Sequence, residues 1–148
     1  MKKIDVKDKV VVITGASGFI GGSLAEEFAK CEAKVVVADI GDEKGEAKAK
    51  SLREAGHEAI FVHFDQRDEK CIETAFEQVV KRYGKIDVLI NNAGVNIPQD
   101  CRRPIDDFMD DKFKWMMDVD LHGLIRCCRA VIPHMLEKRK GCIINTTS

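Results

Sequence analysis

The sequence predicts a doubly wound α/β fold, a parallel sheet with helices on both faces. Two observations carry this expectation. Short runs rich in valine and isoleucine alternate with amphipathic helical stretches from Val10 to Ile144, and the residues suited to chemistry follow the carboxyl ends of the strand-like runs. Repeated strand–helix alternation builds parallel strands joined by right-handed crossovers. Such sheets bind ligands beyond the carboxyl ends of their strands. No repeat, linker or low-complexity segment divides the chain, so residues 1–148 read as one domain.

The elements follow in order. Val10-Val11-Val12-Ile13 is a continuous apolar run ending in Thr14-Gly15, the pattern of a strand buried on both faces. From Gly21 the spacing turns helical, with Leu24, Ala25, Phe28 and Ala29 on one face and Glu26, Glu27 and Lys30 on the other. Lys34 to Ala38 is a second strand, closed by Asp39. Asp42 to Ala55 is a charged helix with a thin apolar stripe of Ala47 and Leu52, ended by Gly56. Ala59 to Phe64 reads as a third strand. Ile72, Ala75, Phe76, Val79 and Val80 keep helical spacing between Glu69 and Tyr83, and Gly84 ends that helix. Ile86 to Ile90 is a fourth strand, running into Asn91-Asn92-Ala93-Gly94. Pro98, Asp100 and Pro104 make Val95 to about Asp107 a loop. A long helix follows to Lys138 through Met116, Val119, Leu124, Ala130 and Val131, and Pro133, lacking an N–H to donate, should bend or loosen it. Gly141 releases the chain into a fifth strand, Cys142-Ile143-Ile144.

Composition narrows the function. With 45% hydrophobic and 33% charged residues and a net charge of −1, the chain is an ordinary globular sequence with no electrostatic footprint for nucleic acid or an anionic membrane. The basic run Lys138-Arg139-Lys140 sits at a helix end, where cations complement the dipole. No run approaches the roughly 18 apolar residues of a membrane span, and the polar start from Met1 to Asp8 has no signal-like core, so a cytoplasmic location is expected. The six cysteines show no C-x-x-C spacing and suit reduced, partly buried thiols. The four histidines lack metal-site spacing, so no metal is expected; His122 and His134 show no compelling carboxylate partner. Trp115, Met116 and Met117 read as core or subunit-contact residues rather than a cofactor box.

The first strand–helix boundary carries the clearest chemistry. In Thr14-Gly15-Ala16-Ser17-Gly18-Phe19-Ile20-Gly21, the glycines permit a tight turn and let backbone N–H groups approach a pyrophosphate. The helix behind them adds the positive end of its dipole. Ser17 suits a pyrophosphate contact or simple stabilisation of the turn. Asp39 closes the second strand about 20 residues further on, where a carboxylate accepts hydrogen bonds from the adenosine ribose hydroxyls and repels a 2′-phosphate. Ile40 beside it supplies no cation for that phosphate. The pattern is that of a Rossmann-like dinucleotide site, with NAD favoured over NADP.

Beyond this turn, the chain resembles the short-chain dehydrogenase/reductase family from about Lys9 to Ser148. Asn91-Asn92-Ala93-Gly94 resembles the family's N-N-A-G motif, implying that Asn92, Ala93 and Gly94 lie beside the cofactor. Asp65, before Gln66, matches the acidic residue that contacts adenine in that family. Asp118-Val119-Asp120-Leu121-His122-Gly123 resembles its V-N-L-x-G segment, and Gly141 to Ser148 its G-x-I-[IV]-N-x-[ST]-S strand. The resemblance implies catalytic roles for Ser148 and Asp120. It also implies hydride exchange between nicotinamide and a secondary alcohol or carbonyl, and a homo-oligomer paired through the long helix in a full-length form.

Departures from the family pattern qualify this reading. The glycine turn looks like the extended branch that includes epimerases and dehydratases, whereas the later motifs favour the shorter branch. Asp120 stands where the family has asparagine, adding a negative charge. The family's Tyr-x-x-x-Lys pair is not among these residues, and Tyr83, placed on the exposed end of the third helix, is not a substitute. Read this way, the chain is an N-terminal portion ending at the catalytic serine position. Losing the acid/base group alone removes a factor of ~10²–10⁴, so no turnover is expected of these 148 residues by themselves. A non-catalytic dinucleotide-binding module and an extended-branch epimerase or dehydratase with tightly held NAD are the alternatives. An apolar face of the sheet left uncovered would make the chain marginally stable or prone to aggregate.

Overall fold

The computed structural model describes residues 5–96, 103–107 and 109–147, with only the backbone of Ile105. Cys101, Pro98 and Asp100 of the expected loop, and Ser148, lie outside the described residues.

Five strands form one parallel sheet, in the order β3-β2-β1-β4-β5. They are β1 (Val10–Thr14), β2 (Lys34–Asp39), β3 (Ala59–His63), β4 (Val88–Asn91) and β5 (Cys142–Asn145). The helices between them are α1 (Phe19–Lys30), α2 (Asp42–Glu54), α3 (Glu69–Tyr83), α4 (Asp110–Met117) and α5 (Leu124–Glu137), with a 3-10 turn at Ile105–Asp107 and a π-helical segment at Asp118–Gly123. This is the doubly wound architecture, and the valine runs explain it. Successive strand residues face opposite sides. Val10, Val12, Val36, Ala38 and Val62 therefore pack against Ile72, Phe76 and Val79 of α3 and Cys127 and Val131 of α5. Val11, Ile13, Val35, Val37 and Ile90 meet Ala25 and Ala29 of α1 and Ala49 and Leu52 of α2. With both faces covered, no position along β1 can be polar until Thr14. Each fully buried valine or isoleucine contributes on the order of 1.5–3 kcal/mol.

Several boundaries differ from the sequence expectation. Helix α1 starts at Phe19, two residues before Gly21, because Gly18 takes the extended N-cap position. The buried stripe of α2 is Gly45, Ala49 and Leu52, whereas Ala47 is exposed. Gly45 is glycine for a reason of space, since a Cβ there would overlap the Phe61 ring. Strand β4 begins at Val88 because Asp87 before it turns its carboxylate to the Val10 N–H at 2.9 Å. The expected long helix is two helices joined by a π-helical segment, while α5 continues through Pro133. Tyr83 is half-buried rather than exposed, packed against the core of the α3 face, and burial pushes its hydroxyl pKa up. Of the described cysteines all are free thiols, but Cys31 and Cys142 are exposed. Among the described residues, no helix is long and apolar enough to cross a membrane.

Candidate functional site

A cavity of about 580 Å³ opens across the carboxyl ends of β1 to β4, within the range typical of ligand sites. Its walls bring together Gly15, Ser17, Gly18, Phe19, Ile20, Gly21, Asp39, Asp65, Gln66, Asn92, Ala93 and Gly94, all of the cofactor positions singled out in the sequence. Ile40, Phe64, Arg67, Val95, Trp115 and Val119 complete the lining.

The glycine turn is built by close approach. Gly15 adopts φ +66°, its N–H donates to the Ala38 carbonyl at 2.8 Å, and a Cβ on it would stand 2.9 Å from Ala93 Cα. A side chain at Gly21 would overlap the Gly15 carbonyl oxygen and approach Asn92 Nδ2 to 2.7 Å. These contacts let α1 start directly beneath the turn. Among the described residues no side chain caps α1, and its first turn holds no acidic residue. Helix geometry leaves the first-turn N–H groups without intrahelical acceptors, at the positive end of the dipole. The apolar side chains there stand in solvent, Phe19 93% and Ile20 61% exposed.

Asp39 ties two turns together. Its Oδ2 accepts from the Ser17 N–H at 3.0 Å and its Oδ1 from the Gly41 N–H at 3.1 Å. A carboxylate oxygen has a second acceptor position, so each remains able to take one more donor. Asp65 is differently engaged. Arg67 grips it through the backbone N–H, Nε and Nη2, at 2.9, 3.0 and 2.7 Å, and this bonding holds the Asp65 carboxyl below the usual carboxylate range. Arg67 is thus a cation in the wall whose charge is already matched by its neighbour.

The floor rests on Thr14, which sequence reasoning passed over. Fully buried, its Oγ1 accepts from the N–H groups of Asn92 and Ala93 at 3.0 and 2.9 Å, while Asn92 Nδ2 donates to the Thr14 carbonyl at 3.0 Å. Asn91 reaches the other way, donating to Asn145 Oδ1 of β5 at 2.9 Å. Thr146 N–H donates to the Asn91 carbonyl at 3.0 Å, which extends the pairing of β4 and β5 by one residue past β5.

The far wall is the π-helical segment. Gln66, only 6% exposed, uses its side-chain amide to donate to Val119 O at 2.8 Å and Ala93 O at 3.3 Å. Gly123 permits this, since a Cβ there would lie 2.7 Å from Gln66 Cγ. Asp120 Oδ1 accepts from the Val95 N–H at 2.8 Å, fixing its carboxylate against the Asn92–Val95 loop. Asp118 pairs with Arg126 Nη2 at 2.7 Å and lies 3.8 Å from His122 Nδ1, so His122 does face a carboxylate one helical turn away. Trp115, read from the sequence as a core or subunit-contact residue, borders the cavity and is partly buried.

Known proteins match both the sequence and the fold. The family model for short chain dehydrogenase matches residues 9–148. Meso-2,3-butanediol dehydrogenase of Serratia marcescens is 38% identical over 95% of this chain and 53% of its own length. Cis-4-hydroxycyclohexanecarboxylate dehydrogenase of Sinomonas cyclohexanicum is 31% identical, over 95% of this chain and 55% of its own. The crystal structure of gox2181 superposes with a TM-score of 0.89 at 27% identity, over 96% of this chain and 54% of that one. The chain spans about half the length of the curated relatives it matches. By its matched residues, its sheet and its relatives, the chain belongs to the short-chain dehydrogenase family of oxidoreductases.

Proposed function

We propose that the chain is the nucleotide-binding portion of an NAD(H)-dependent oxidoreductase acting on a secondary alcohol or the corresponding carbonyl. The observation that carries the reading is Asp39, fixed at the end of β2 by two backbone N–H groups with acceptor positions to spare. A ribose diol offers the donors that those positions lack. A 2′-phosphate would set its charge against the carboxylate, which favours NAD over NADP. The cavity fits the rest of a dinucleotide. The uncapped start of α1 suits the pyrophosphate, and Phe19 and Ile20 are apolar surface that a bound molecule would cover.

When bound, the nicotinamide supplies or accepts hydride at its C4 carbon. The chain's own residues bind and orient: Gly15 to Gly21 approach the phosphates, Asp39 takes the ribose, and Asn92 to Gly94 line the path beyond. Asp120 and Ser148 are the positions proposed for the reacting end, by the motifs they occupy. Tyr83 has no part in it. Its ring lies 5.6 Å from Lys34 Nζ, at the start of β2 and thus at the opposite end of the sheet from the cavity. A cytoplasmic, homo-oligomeric full-length enzyme completes the proposal. Leu121, Ile125, Ile132 and Leu136 form an exposed apolar stripe along the π segment and α5, as a subunit contact requires.

The test is titration calorimetry with NAD(H) and NADP(H). The wild-type chain binds NAD(H) more tightly, and Asp39→Ala weakens NAD(H) by about tenfold while changing NADP(H) far less, the loss expected for about 1.4 kcal/mol of charge-assisted hydrogen bonding. An unchanged preference removes Asp39 as the selector.

A further inference from the structure

We infer that Asp120 biases the cavity toward the oxidised, positively charged form of the nicotinamide cofactor, an inference that rests on the dinucleotide reading above. The order of groups along the cavity follows from the fold. Asp39 marks the adenosine ribose and the start of α1 marks the pyrophosphate, so the nicotinamide half extends past β1 toward β4. That end is walled by Asn92 to Val95, Trp115 and Val119.

Asp120 sits against this wall. Its Oδ1 receives the Val95 N–H at 2.8 Å and lies 3.5 Å from where a Cβ on Gly94 would be. The nearby basic side chains are engaged elsewhere: Arg126 bonds Asp118 at 2.7 Å, and His122 also faces Asp118. Among the described residues, no lysine, arginine or histidine forms an ion pair with Asp120. An asparagine would hold the Val95 N–H equally well through its carbonyl oxygen. What the carboxylate adds is therefore charge, with no change in geometry. A nicotinamide ring is a cation when oxidised and neutral when reduced, so a fixed negative charge nearby attracts one form and is indifferent to the other.

The experiment measures binding of both forms to the 148-residue chain. NADH is followed by energy transfer from Trp115, the chain's single tryptophan and part of the cavity lining. NAD⁺ is followed by competition against NADH, and AMP serves as a ligand lacking the nicotinamide. The wild-type chain is expected to bind NAD⁺ at least as tightly as NADH. Asp120→Asn is expected to shift the NAD⁺:NADH affinity ratio about three- to tenfold toward NADH, with AMP affinity and thermal midpoint unchanged. Asp111→Asn, which removes the same charge from the exposed start of α4, leaves the ratio within about twofold.

A wild-type preference for NADH overturns the inference whether or not the variant folds. So does an unchanged ratio in folded Asp120→Asn, or an equal shift in Asp111→Asn. If neither cofactor form binds, the dinucleotide reading falls and takes this inference with it. Binding of both forms with an unmoved ratio leaves that reading standing and removes only the role of Asp120.

Discussion

At the scale of single residues, Thr14 joins the glycine turn to the loop after β4. Replacing it with valine keeps the shape and leaves the N–H groups of Asn92 and Ala93 without their acceptor. Thr14→Val should cost about 2–3 kcal/mol, read as a lower urea midpoint with an unchanged slope. The contrast between Thr14 and Asp39 shows what a sequence exposes. Asp39 and Gly15 are legible because their roles depend on local things, a charge at a strand end and a backbone turn beside a helix. Thr14 acts on residues 78 and 79 positions away, and nothing in its own neighbourhood announces them. Arg67 was hidden for another reason. It cancels Asp65 at the same wall, so the carboxylate expected to meet adenine already has a guanidinium partner.

At the scale of elements, the valine-rich strands and the spacing of α3 were plain in the sequence, because burial on one or two faces imposes a period. The π-helical segment was not. It is a single short turn set between α4 and α5, and the helical patterns on either side of it read as one stretch in the sequence. What singles it out is tertiary, the Gln66 amide on the Val119 carbonyl and the Arg126 guanidinium on the carbonyls of Asp118 and Gln66. Gly123 makes room for Gln66, and Gly123→Ala would press a methyl to within 2.7 Å of its Cγ and 3.1 Å of its backbone oxygen. That substitution should destabilise the chain by about 1–3 kcal/mol. In hydrogen exchange, amides from Asp118 to Gly123 and at Val95 should lose protection more than those of β1, because the strain falls on the wall before the sheet.

At the scale of the whole molecule, Asp87 binds the two central strands at the end remote from the cavity. Burial pushes its carboxyl pKa up, but hydrogen bonds from Lys85 and the Val10 N–H, with the charge of Lys9, bring it net below its ordinary 3.8. A depressed folded-state pKa stabilises the fold fully above the unfolded value, and that contribution disappears as pH falls through the folded one. Wild type should therefore exceed Asp87→Asn in urea midpoint at neutral pH, with the difference shrinking below about pH 3.8. A constant difference down to acid pH would show that the ion pairs carry no linkage. The sheet order has a further consequence, in time rather than space. Of these five strands, β1 leaves the ribosome before the others yet ends in the middle of their sheet, with β2 on one side and β4 on the other. Strands β1 to β3 can wind into a βαβαβ unit while the rest is still being made, since their pairings are local in sequence and cheap in loop entropy. Until Val88 arrives, one edge of β1 is bare, a row of valines and open peptide groups that a neighbouring nascent chain could pair with. The cavity is born late: its floor at Thr14 exists early, but the loop that closes over it waits for β4.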